Sequence, residues 1–414
     1  MRFRLWSVFP LSRPQKLKNG SAGVLGRRFQ LETLEERLNL NAPALFSVAG
    51  NLQAPMNLGS VVSPAAIITG DFNKDGIPDL ATANPFRNSI SIMMGQGQGA
   101  FAAAVNITVN GNPQALLAAD LNNDGFIDLA TANYKTDTIS VLLGNGNGSF
   151  KAPQNGLLPA GAGPRHLIAG DFNRDGLSDI ATANFENQSV SVLLGQGQGK
   201  FSSPQSFLVG DNPGSLALGD FNRDGKLDLV SANAGSKNLS VLLGDGVGGF
   251  TAGATLAAGS DPESIAAADF NRDGITDLAV ADPANNLLWT LLGDGLGGFG
   301  SASSFATGTQ PLALQVGEFN GDKILDIATV NASGKSLSLL FGQGDGSFQA
   351  PLDFDAASNP VALTAGDFNG DGLLDLVAAN NPGNQISLIN NSYFPSSANF
   401  TVNQASRFAF QATG

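Results

Sequence analysis

The sequence has no cysteine and a single histidine among 414 residues. Without cysteine there are no disulfides and no thiolate metal sites, and one histidine, His166, excludes most zinc chemistry and any repeated histidine-based catalysis. Only two tryptophans and two tyrosines are present (Trp6, Trp289, Tyr134, Tyr393). Sugar sites usually need an aromatic face with a polar handle, so this composition argues against a multivalent lectin. No apolar run is long enough to cross a membrane, and no patterned basic surface suggests nucleic acid. Glycine, by contrast, is abundant at 52 residues.

The formal net charge of −13 has a specific origin. A nonapeptide, Asp71-Phe72-Asn73-Lys74-Asp75-Gly76-Ile77-Pro78-Asp79, recurs with starts at Asp120, Asp171, Asp220, Asp269, Glu318 and Asp367, almost always 49 residues apart. These seven loops hold 21 of the 35 acidic residues. Oxygen donors at positions 1, 3, 5 and 9, with a turn glycine at 6, are what a loop wrapping a hard cation requires. Seven divalent ions would bring the chain close to neutral. The loops are not EF-hands: where a bidentate Glu belongs, position 12 carries Thr82, Thr131, Thr182, Ser231, Val280, Thr329 and Ala378. The Asp at position 9 is expected to close each site instead, together with the backbone carbonyl of position 7.

The expected calcium ligands are therefore Asp71, Asn73, Asp75, Ile77 and Asp79 in the first loop, and Asp120, Asn122, Asp124, Phe126 and Asp128 in the second. The third supplies Asp171, Asn173, Asp175, Leu177 and Asp179, and the fourth Asp220, Asn222, Asp224, Lys226 and Asp228. The fifth supplies Asp269, Asn271, Asp273, Ile275 and Asp277, and the seventh Asp367, Asn369, Asp371, Leu373 and Asp375. The sixth, with Glu318, Asn320, Asp322 and Asp326, has Lys323 where the turn glycine belongs. A positive φ is costly for a side chain, and the added positive charge competes with a cation, so this site is the doubtful one of seven.

Each period repeats one grammar of strands. A Phe-led strand such as Phe201 to Leu208 is followed by a small-residue strand, Ser215 to Gly219, and then the acidic loop. A third strand, Leu227 to Asn233, and a fourth, Leu239 to Leu243, come next, and a glycine turn leads to Phe250 and the next period. The glycine turns lack both a following helix and a Lys-Ser/Thr pair, so they are hairpins and not phosphate loops. Four short strands per period of about 49 residues predict an all-β, seven-bladed β-propeller of four-stranded blades. The shorter periods of a β-helix exclude that alternative. Leu52 stands one period before Phe101, which predicts that an N-terminal strand at 52–59 closes the last blade and removes an open edge.

The nonapeptide, the Leu-Ala-Thr-Ala-Asn-like strand and the Gly-x-Gly-x-Gly-x-Phe turn are similar to the FG-GAP/VCBS repeat family, which includes the propeller of integrin α subunits and many secreted bacterial proteins. The resemblance covers residues 52 to about 394. It implies ions that stiffen the blades on one face and a protein or glycan ligand on the face opposite. The loops expected on that opposite face begin at Pro85, Tyr134, Phe185, Ala234, Pro283, Ala332 and Asn381. Residues 1–42 are expected to be a basic export-associated segment, poorly ordered, and 43–396 the propeller. Phe29 to Leu38 resembles the LE-x-LE-x-R segment of exported bacterial repeat proteins, or is a short amphipathic helix. Residues 397–414 read as the start of an immunoglobulin-like repeat, or as a further strand for blade seven. The expected function is a monomeric, calcium-stabilised, extracellular binding or adhesion scaffold without catalysis of its own. The rivals are a module of a polysaccharide-acting enzyme and a spacer in a larger surface protein. His166 occupies a slot that holds Ala or Ser in every other repeat, and is expected to line the central channel.

Overall fold

The computed structural model describes residues 46–52, 63–158, 162–356, 359–381 and 385–391, all within the unit Pro43–Gly414. The basic segment 1–42, the positions 53–59 expected to close the ring and the tail 397–414 lie outside the described residues. Those described form strands and turns, with no helix among them.

Seven four-stranded antiparallel sheets follow one another along the chain. Blade three is typical: Pro164–Gly170 innermost, then Asp179–Asn184, Ser189–Leu193 and, outermost, Gln205–Leu208. The Asp-Ile-Ala-Thr-Ala-Asn strand is buried at every position, as is its counterpart in each blade. Strands buried on both faces read as continuous runs without alternation, because each blade is sandwiched between two others. Small Ala and Thr residues suit these inner strands, where the blades crowd toward the axis. The outermost strands meet water and show an exposed, mixed pattern.

Two details correct the sequence reading. The Phe-led strand is shorter than expected: Phe201 makes only an isolated bridge to Gly195, and the outer strand proper starts at Gln205. Blade four is an exception, running continuously from Phe250 to Leu256. The ring also closes with a different segment. Phe46–Leu52 pairs antiparallel with Gln385–Asn391 of blade seven. Phe46 stands opposite Asn391 as Phe250 stands opposite Gly244. The Phe slot of the last blade is thus Phe46, six residues before the position that the period predicts.

The second residue of the acidic nonapeptide staples the blades together. Phe72, Phe172, Phe221, Phe270, Phe319 and Phe368 are at most 2% exposed. Phe172 packs edge-on against Phe250 of the next blade, with centroids 5.5 Å apart, and the Gly248 N–H donates to its carbonyl at 3.2 Å. The same two contacts join blade seven to blade one, through Phe368 with Phe101 and the Gly99 N–H at 2.8 Å. The glycine turns are therefore hairpins with a second task, which is to dock onto the preceding blade.

Candidate metal loops and the axial channel

In the first loop the Asp71 carboxylate accepts the N–H groups of Asp75 (3.1 Å) and Gly76 (2.9 Å). Asn73 Oδ1 accepts the Asp75 N–H as well, and Asp75 Oδ1 accepts that of Ile77. The position-7 residues Phe126, Leu177, Lys226, Ile275 and Leu373 likewise donate their N–H to the position-5 carboxylate. Positions 4 and 6 both lie in the left-handed region, Lys74 at φ 60° and Gly76 at 82°. The need at position 4 was not visible in the sequence, because Lys, Asn and Arg fill it in most loops. Loop six swaps the two, with Gly321 at φ 79° and Lys323 at 66°. Its longer Glu318 accepts from Asn320, Gly321 and Asp322 through Oε1.

Position 9 behaves differently from the rest. Asp79, Asp128, Asp179, Asp228, Asp277, Asp326 and Asp375 are fully buried, whereas positions 3 to 5 reach the surface. Asp179 accepts the Phe172 N–H on one oxygen (2.8 Å) and the Gly195 N–H on the other (2.7 Å). One carboxylate thereby ties the acidic loop to the glycine turn, and the same pair recurs in blade one. Burial pushes these carboxyls up, against the pull of the two N–H groups: Asp128 and Asp375 to about 6, Asp326 to about 7.

Whether the loops suit a cation follows from these oxygens. Carboxylates, an amide oxygen and backbone carbonyls are hard donors, and an oxygen that accepts one N–H keeps a second lone pair. Among the described residues no three acidic side chains gather closely enough to form a ready metal cage. Loop four carries a competitor that the sequence reading passed over: Lys226 Nζ lies 3.0 Å from Asp224, whose carboxyl it holds below the ordinary value.

On the axis the seven innermost strands enclose a cavity of about 300 Å³. Its lining includes Gln114, Arg165, His166, Ser215, Glu263, Leu312 and Val361. His166 does face this channel. Its Nδ1 accepts the Leu216 N–H of the next blade at 3.3 Å, the bond that Ser215 repeats toward Ile265. Burial lowers its pKa to about 4, so it is neutral at neutral pH. At the end of the channel away from the acidic loops, the Arg165 guanidinium lies 3.7 Å over the Phe185 ring and 5.7 Å from that of Tyr134. The Tyr134 hydroxyl donates to Glu186, which raises its pKa.

Blade five breaks a buried polar rung that blades three and six share. In blade three Asn184 donates to Ser189 and Ser191 and accepts from Thr182. The same four slots in blade five hold Asp282, Leu287, Trp289 and Val280. Asp282 Oδ2 accepts from Trp289 Nε1 (3.2 Å), Asn285 (2.7 Å) and the Ser260 N–H (3.0 Å). Its Oδ1 is buried without a partner, because the hydroxyl that serves Asn184 is replaced by Val280. The joint change of four aligned positions was the available signal.

Similar solved structures share the fold at low identity. A chain of BBS1N in complex with ARL6DN, soaked with lead, is 14% identical with a TM-score of 0.58, over 86% of this chain and 97% of that one. Virginiamycin B lyase from Staphylococcus aureus is 13% identical with a TM-score of 0.57, over 84% and 99%. An Agrocybe aegerita lectin that recognises non-reducing terminal N-acetylglucosamine is 18% identical with a TM-score of 0.52, over 77% and 86%. At such identities the likeness shows the fold alone. A search of curated proteins finds none that matches the sequence. The profile of the FG-GAP-like repeat matches six overlapping segments, 71–131, 120–182, 171–231, 220–280, 269–329 and 318–378. With seven such blades in one ring, the chain belongs to the FG-GAP-like repeat family.

Proposed function

We propose that this propeller is an exported, calcium-stabilised binding or adhesion scaffold with no catalysis of its own, and that it takes a protein or glycan ligand on the face opposite the acidic loops. One observation carries the reading: the two faces differ in how strictly they repeat. The acidic loops keep one hydrogen-bond pattern from blade to blade. On the other face the aligned loop positions hold Pro85, Tyr134, Phe185, Ala234, Pro283 and Ala332, and the channel mouth gathers Arg165 and Glu263. Scaffold positions repeat because every blade needs them, while a ligand contact is needed once.

Calcium supplies, when bound, the positive charge that relieves the repulsion among three acidic side chains per loop. Positions 1, 3, 5 and 9, with the carbonyl of position 7, would hold it. Its role in this reading is mechanical, because these loops lie between the first and second strands, at the end of the blade away from the proposed ligand.

The test is a binding screen of the immobilised propeller against glycans and extracellular proteins, repeated with Tyr134→Ala and Phe185→Ala and with Val247→Ser and Leu296→Ser on the opposite face. The reading expects loss of binding only for the first pair. Binding that survives the first pair and fails with the second would overturn it.

A further inference from the structure

The residues that follow the blade prolines form the outermost ring of the axial cavity, and they are not alike. Blades three and five place Arg165 and Glu263 there, with Gly214 of blade four between them and Leu312 and Val361 on the two blades that follow Glu263. Ring packing does not call for charges, since the same slot is Ala65 in blade one. Opposite charges facing one small space ordinarily collapse into an ion pair. Among the described residues the ion pair is instead that of Lys226 with Asp224.

Arg165 is held by its stacking on Phe185, which covers one guanidinium face, and it shares its N–H edge in part with the Tyr134 hydroxyl. Glu263 is mostly enclosed: burial raises its carboxyl pKa, and the field of Arg165 lowers it. Gly214 leaves the space between them clear, because a Cβ there would meet only the Glu263 carbonyl oxygen at 3.7 Å. Beneath the two charges, His166 accepts through Nδ1, so the neutral ring carries its proton on Nε2. The charged and polar side chains come from blades two to five, and those of blades six and seven are aliphatic.

We infer that this mouth binds a small zwitterion of amino-acid size, its carboxylate against Arg165, its ammonium against Glu263 and an aliphatic body against Leu312 and Val361. A guanidinium edge matches a carboxylate in two parallel hydrogen bonds. A carboxylate on the far side selects an ammonium and rejects a second anion. A cavity of about 300 Å³ is at the small end of ligand sites and suits a molecule of this size rather than an oligosaccharide. The inference rests on the reading of this face as the ligand face, and narrows the ligand to a chemical class.

The experiment is calorimetric titration of the full chain in calcium with L-leucine, N-acetyl-L-leucine and L-leucinamide. Leucine should bind saturably, and each derivative, lacking one charge, should bind at least about tenfold more weakly. Arg165→Gln should erase the preference for leucine over leucinamide, and Glu263→Gln that for leucine over the N-acetyl form. Absence of saturable binding by leucine overturns the inference, and so does equal binding of all three probes or discrimination unchanged in both variants. Should a variant fail to fold, the three probes on the unaltered protein decide alone. If leucine fails while a macromolecular ligand still needs Tyr134 and Phe185, the zwitterion falls and the ligand face stands.

Discussion

Removing the position-9 carboxylate should cost far more than removing a carboxylate two turns of the loop away, even with no metal present. Asp179 is fully buried and accepts two backbone N–H groups, from Phe172 and Gly195, at 2.8 and 2.7 Å. A hydrogen bond to a charged group is worth about 1.5–3 kcal/mol, so Asp179→Ala should lose about 3–6 kcal/mol, less whatever is recovered by not burying the anion. Asp179→Asn keeps one acceptor and turns an amide N–H₂ toward the other donor, so it should lose roughly half as much. Asp175 accepts the Leu177 N–H and the Asn173 amide at the surface, and Asp175→Ala in chelator should cost about 1 kcal/mol or less. Urea unfolding in chelator reads these differences as shifts of midpoint at constant slope. In about 2 mM calcium, with a Kd of about 0.2 mM, Asp175→Ala should lose about a further 1.4 kcal/mol as its site is lost. Equal losses for Asp179→Ala and Asp175→Ala in chelator would refute the anchoring role of position 9.

Three further outcomes follow from the same geometry. Deleting residues 1–52 should expose the Gln385–Asn391 edge and produce concentration-dependent association by light scattering, and a monomer with unchanged melting would contradict ring closure by Phe46–Leu52. Lys323→Gly should stabilise the protein by about 1 kcal/mol in chelator by relieving a φ of 66°, and should strengthen the weakest calcium site in titration. His166→Ala should cost about 1 kcal/mol at neutral pH through the lost bond to Leu216, with His166→Ser keeping most of it as Ser215 does. With a folded pKa of about 4, the neutral imidazole contributes stability above its unfolded pKa that disappears as pH falls from about 6.5 to 4, so His166→Ala should melt with less loss across that window.

Most of the architecture was legible because each blade restates it. A spacing of 49 residues, Ala-Thr-Ala-Asn strands and Gly-Asp punctuation are local signals, and seven copies average out the noise of any one. Closure was legible in kind and missed in register. Phe46 lies 55 residues before Phe101, so counting by the period landed on Leu52. Backbone pairing between strands does not depend on that count. The Arg165–Phe185 stack joins an innermost strand to the turn after the second strand, residues 20 apart, and no period links them. The anchoring role of position 9 was not legible, because an Asp looks the same whether its oxygens face solvent or backbone N–H groups. Burial separates the two, and burial is set by the neighbouring blade. The altered rung of blade five was open to reading, since Val280, Asp282, Leu287 and Trp289 change together when the repeats are aligned.

Thermal unfolding in calcium and in chelator, each at about pH 5.5 and about pH 7.5, tests the calcium reading of the loops most directly. Without metal, Asp128, Asp326 and Asp375 have folded pKa values of about 6, 7 and 6, above the ordinary carboxyl value, so the folded state holds their protons more tightly. Their ionisation then costs stability as pH rises from about 4 to 7, and His166 opposes this as one group against three. With calcium bound, the ion takes the place of the proton, and raising the pH strengthens binding and stability. The chain should therefore melt lower at the higher pH in chelator and higher at the higher pH in calcium. Melting curves that coincide in calcium and chelator at both pH values would mean that the acidic loops are self-sufficient turns.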